Sequence, residues 1–79
     1  MEEIAVTGII RRSGRNYVIA TDDGKEYHLS AILPWEAVSP DYNTHIFELN
    51  LGRRMTATGL SDGNTIYKAM LSECNLSKS

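Results

Sequence analysis

Three arginines crowd one short stretch, Arg11, Arg12 and Arg15, and two tyrosines, Tyr17 and Tyr27, come close to it if the intervening segments are paired strands. Guanidinium groups grip phosphate or carboxylate through charge-assisted forked hydrogen bonds, and aromatic rings beside them can stack on unpaired bases. The rings also have a second reading. Tyr17 shares a strand face with Ile19 and Tyr27 with Leu29, which assigns both rings to a hydrophobic core, and this placement is preferred over stacking. Trp35, the only tryptophan, follows Pro34 in a stretch without periodicity. It either caps the core or offers an anchor to a partner; capping is preferred, whereas exposure with Ile32, Leu33 and Val38 would favour a protein interface.

Material for catalysis is sparse. His28 and His45 are the only histidines, Cys74 is the only thiol, and no serine or cysteine stands in a local nucleophile motif. One cysteine and two scattered histidines lack the paired short spacings of a zinc site. Asp22-Asp23 fits a hairpin tip better than a calcium loop, and Gly8, Gly14 and Gly24 precede no helix that would make a phosphate cradle. The expectation is a chain that is not an enzyme and that uses no metal or cofactor.

Charge and length narrow the classes further. Eight Lys and Arg against ten Asp and Glu give a net charge of -2, where a dedicated nucleic-acid binder carries a basic excess. A lone cysteine cannot close an internal disulfide, Met1-Glu2-Glu3 is acidic where an export signal is basic, and no apolar run approaches the roughly 18 residues of a membrane span. These features point to a cytoplasmic protein without membrane insertion. The Asn75-Leu76-Ser77 sequon is read as chance. Seventy-nine residues allow one domain, taken as residues 1–74 with a polar tail at 75–79.

The elements that position these side chains follow from period-two alternation. Ile4, Val6, Gly8 and Ile10 form an inward row of a first strand, with Gly8 allowing a bend. Ser13-Gly14 turns into a second strand carrying Tyr17, Ile19 and Thr21. Asp22-Asp23-Gly24-Lys25 reads as a two-residue hairpin with positive φ at Asp23 and Gly24, leading to a third strand from Glu26 to Ile32. Pro34 and Pro40 then break the ladder, with Asp41, Asn43 and Thr44 as candidate caps. Ile46, Phe47, Leu49 and Asn50 suit a short helix stopped by Gly52, favoured over an alternating strand from His45 to Leu51. A fourth strand, Arg53 to Leu60, points Met55 and Ala57 inward. After Ser61-Asp62-Gly63-Asn64 a fifth strand runs from Thr65 to Glu73; Tyr67, Ala69 and Leu71 are preferred inside, because the other row would bury Lys68.

Val6-Thr7-Gly8-Ile9, Tyr17-Val18-Ile19, the hairpin Asp23-Gly24-Lys25-Glu26-Tyr27-His28-Leu29, and Gly52-Arg53-Arg54-Met55-Thr56-Ala57-Thr58-Gly59 together resemble small bacterial OB-fold domains over most of residues 4–73. The resemblance implies an all-β five-stranded Greek-key barrel with one short helix. It carries over no catalytic or binding residue, and the 34–51 connection is longer than in the compact form. An SH3-like barrel is the alternative, and it leaves no place for a helix between the third and fourth strands. The functional expectation is a non-catalytic binding or assembly module, with a protein partner or self-association favoured. The alternative is single-stranded nucleic-acid binding through Arg11, Arg12, Arg15 and an exposed Tyr17 or Tyr27.

Overall fold

The computed structural model describes residues 1–37 and 44–73. Val38, Pro40, Asp41, Asn43, Cys74 and the tail 75–79, on which several expectations rest, lie outside the described residues. Five strands and one helix follow in the order β1 (Glu2–Ser13), β2 (Asn16–Thr21), β3 (Glu26–Leu29), α1 (His45–Leu49), β4 (Arg54–Ser61) and β5 (Thr65–Glu73). They form one sheet whose strand order, β1-β2-β3-β5-β4, returns to β1. Only the β3 and β5 pair is parallel. No helix among the described residues is long and apolar enough to cross a membrane.

Closure depends on β1 serving two neighbours. Its first part, Glu2 to Ile9, pairs with β4, and its second, Gly8 to Ser13, pairs with β2. The strand changes partners at Gly8, where a Cβ would lie 2.1 Å from the Ala20 carbonyl oxygen. Only glycine allows two backbones that close.

The inward rows meet in a core of Ile10, Ile19, Leu29, Phe47, Met55, Ala57, Ile66 and Ala69, with Ile4, Val6, Tyr17, Tyr27 and Leu71 packed around it. Helix α1 has only five residues, too few to be stable alone. Tertiary burial holds it: Phe47 is 0% exposed and lies under the Tyr17 ring, with centroids 5.6 Å apart. Burying a phenylalanine fully is worth about 1.5–3 kcal/mol, which offsets part of the backbone entropy lost in ordering the turn. The Thr44 carbonyl accepts from Phe47 and Glu48 N–H at the start. At the end Gly52 adopts φ +81° and donates its N–H to the Ile10 carbonyl, two residues beyond the Asn50 C-cap.

Two expectations are corrected. Thr21 and Lys25 close the β2–β3 turn, with Thr21 N–H donating to the Lys25 carbonyl and Gly24 N–H to the Thr21 carbonyl. The loop therefore has three residues, and only Gly24 takes positive φ, at +91°. Asp23 avoids it because its carboxylate accepts from the Thr21 hydroxyl and the Lys25 N–H. In β5 the expected inward row holds at Ala69 and Leu71, but Ile66 stands inside in place of Tyr67. Ile66 and Ala69 are buried, whereas Tyr67 is half-buried, Leu71 is partly exposed and Lys68 and Met70 are exposed. The pairing with β4 slips between Thr58↔Met70 and Leu60↔Tyr67. That extra residue is a bulge at Lys68, whose φ is +52°; it moves the inward position from 66 to 69 and keeps the Lys68 ammonium in solvent.

Candidate binding surfaces

The inward row of β1 continues past Ile10 to Arg12, and that of β2 begins at Tyr17, its register partner. Both side chains therefore reach the rim where α1 closes the barrel. There the Tyr17 hydroxyl donates to Glu48 Oε1 at 2.5 Å, the Arg12 guanidinium stands 3.6 Å from the same oxygen, and Arg12 lies 5.9 Å from the Tyr17 ring centre. Hydrogen bonding to the Glu48 carboxylate raises the Tyr17 pKa above its ordinary 10.0, with desolvation and the carboxylate charge acting in the same direction and Arg12 opposing them. Arg12 and Tyr17 thus clamp α1 through Glu48. Glu48 was invisible to sequence reasoning, since it is 31 residues from Tyr17 and its only local signal is an acid in the first turn of a short helix.

Arg11 and Arg15 differ from Arg12. Arg11 lies on the outer row of β1 beside Val18, which is in turn paired with His28. Arg15 occupies the β1–β2 turn. Both are exposed, and neither makes an ion pair among the described residues. The other basic side chains here are engaged: Arg53 with Glu73, Arg54 with Asp22, Lys68 with Glu36, and Lys25 over the Tyr27 ring at 5.2 Å.

Tyr17 and Tyr27 both pack against the core from its edges. Consequently the outer row of β2 and β3 consists of Val18, Ala20, Glu26 and His28, without an aromatic ring. Val18 is only 4% exposed despite facing outward.

Trp35 is 68% exposed, which overturns its expected role as a cap. Phe47 fills the barrel end instead. A tight turn fixes the tryptophan's backbone: Glu36 N–H donates to the Leu33 carbonyl, Leu33 N–H donates to Glu36 Oε1 at 2.8 Å, and Glu36 pairs with Lys68 at 3.9 Å. Lys68 N–H also donates to the Ile32 carbonyl, tying the turn to β5. Ile32 and Leu33 are partly exposed, and Val38 lies outside the described residues.

A shallow cleft of about 250 Å³ lies elsewhere, lined by Val6, Thr7, Thr21, Asp22, Asp23 and Tyr27. The Thr21 hydroxyl and then the Lys25 N–H hold the Asp23 carboxyl below its ordinary 3.8. At the β4–β5 turn the Asn64 and Thr65 N–H groups do the same for Asp62. Among the described residues no group of three or more His, Cys, Asp or Glu side chains is placed to hold a metal ion. No family model, curated protein or solved structure matches the chain.

Proposed function

We propose that this chain is an OB-type Greek-key barrel acting as a non-catalytic binding or assembly module whose ligand is another protein. The strand order β1-β2-β3-β5-β4, with a helix between β3 and β4, supports the fold reading. It also weighs against an SH3-like barrel, which has no helix at that point. Trp35 carries the functional reading. A tryptophan with 68% of its surface in water, on a backbone pre-set by Glu36 and Lys68, has the character of an interface anchor, because little further ordering is needed on binding.

The test compares the chain with Trp35→Ala by sedimentation across protein concentration and by capture of partners on immobilised bait. A complex or self-association present with the parent and lost with Trp35→Ala supports the reading. Identical behaviour of the two refutes it.

Arg11 and Arg15 support a second reading, single-stranded nucleic-acid binding, since they are the free cations of one hairpin. It ranks lower because the two tyrosines turn inward and Arg12 is held by Glu48. A labelled single-stranded DNA titrated at low salt decides: affinity that falls as salt rises and drops with Arg11→Ala and Arg15→Ala supports it, and no binding removes it.

A further inference from the structure

The first half of β1 presents an unpaired strand edge. Ile10 donates its N–H to the Arg53 carbonyl and accepts from Gly52 N–H, so the even-numbered residues of β1 bond toward β4. Because antiparallel ladders alternate, the N–H and C=O groups of Glu3, Ala5 and Thr7 point to the opposite side. β2 occupies that side only from the Gly8↔Thr21 pair onward. The groups of Glu3, Ala5 and Thr7 therefore have no main-chain partner among the described residues.

The cleft of Val6, Thr7, Thr21, Asp22, Asp23 and Tyr27 runs beside this edge. Its apolar members, Val6 and Tyr27, belong to the inward rows. Acidic groups outnumber basic ones around it. Glu2, Glu3 and Asp23 form no ion pair among the described residues, Asp22 is paired with Arg54, and the nearby Lys25 lies over the Tyr27 ring.

We propose that this edge is a docking site for an extended, basic segment of another protein, added as a further strand along Glu3 to Thr7. Free backbone groups in a row select extended polypeptide over other ligands. The period of two then sets the partner's pattern: apolar residues enter the cleft over Val6 and Tyr27, and basic residues alternate with them beside Glu3 and Asp23. This site is independent of the Trp35 surface, so either can fail alone.

A fluorescent hexapeptide alternating Lys and Val is titrated into the intact chain up to about 1 mM, with amide chemical shifts recorded. A Glu and Val counterpart is the control. Two variants probe the edge: Ala5→Pro removes one outward N–H and leaves the β4 ladder intact, and Glu3→Lys reverses the local charge without altering the backbone. The expected result is shifts confined to residues 3–7 and 21–27, affinity reduced about tenfold by each variant, and no binding of the acidic peptide. Circular dichroism checks that each variant folds, and Glu3→Lys decides the case if Ala5→Pro does not. Absence of binding, shifts elsewhere, equal binding of the acidic peptide, or unchanged affinity in the folded variants overturns the proposal. So does a dimer of the chain alone that Ala5→Pro breaks, which would assign the edge to a second copy.

Discussion

Replacing Gly8 with alanine tests how the barrel closes. The added Cβ would stand 2.1 Å from the Ala20 oxygen, 2.6 Å from its carbonyl carbon and 2.7 Å from Thr21 Cα. All three are main-chain atoms, so no side-chain rotation relieves the clash. β1 must move away from β2 by roughly 1 Å, at the point where it is also paired with Met55 of β4. Overpacking of this kind costs about 3 kcal/mol, against a total of about 4–12 kcal/mol expected for a domain of this length. Gly52 supplies the matched control. Its φ is +81° but a Cβ there meets nothing within 4 Å, so Gly52→Ala bears only the left-handed backbone cost of about 1 kcal/mol. Urea unfolding followed by far-ultraviolet circular dichroism measures both, and the exposed Trp35 is a poor reporter. At roughly 4–8 °C per kcal/mol, Gly8→Ala should melt about 12–24 °C below the parent and Gly52→Ala about 4–8 °C below. Equal losses for the two variants, or a loss under about 1 kcal/mol at Gly8, would refute the argument that a backbone contact between β1 and β2 requires glycine there.

Phe47→Ala removes the side chain that fills the barrel end and should cost about 3–5 kcal/mol, with melting lowered by tens of degrees and loss of the ordered amide signals of α1. A pH series checks the turns and the clamp. Asp23 and Asp62 have folded pKa values below the ordinary 3.8, so their contribution to stability is present above that value and disappears as pH falls through the lowered ones; Asp23→Asn with Asp62→Asn should flatten this acid limb. Tyr17 has a folded pKa above its ordinary 10.0, so its contribution is present below pH 10 and disappears as pH rises through the raised value, a basic limb that Tyr17→Phe should abolish.

What could be read from the chain alone was whatever depends on neighbours in sequence. Alternation placed Ile10, Ile19, Leu29, Met55 and Ala57 inside, because a strand sends every second side chain to the same face. It held for Ala69 and Leu71 in β5 and failed before them, where the inward position changes at Lys68. Lysine has no intrinsic preference for a φ of +52°, and the cause lies across the sheet at Gly59. A Cβ on Gly59 would come within 2.5 Å of the Tyr67 carbonyl oxygen and 2.8 Å of an Ile66 methyl, so the bulge closes on β4 through space that only glycine leaves. Gly59 could be seen in the sequence, but its partner could not. The candidate surfaces divide in the same way. The three arginines were visible as a cluster, yet their roles separate according to Glu48, which reaches Arg12 and Tyr17 and leaves Arg11 and Arg15 free. The exposure of Trp35 is hidden in the sequence for a related reason. One large apolar side chain, Phe47, fills the barrel end, carried there by a helical turn that Tyr17 and Glu48 hold against the rim. With that end filled, the tryptophan stands in water.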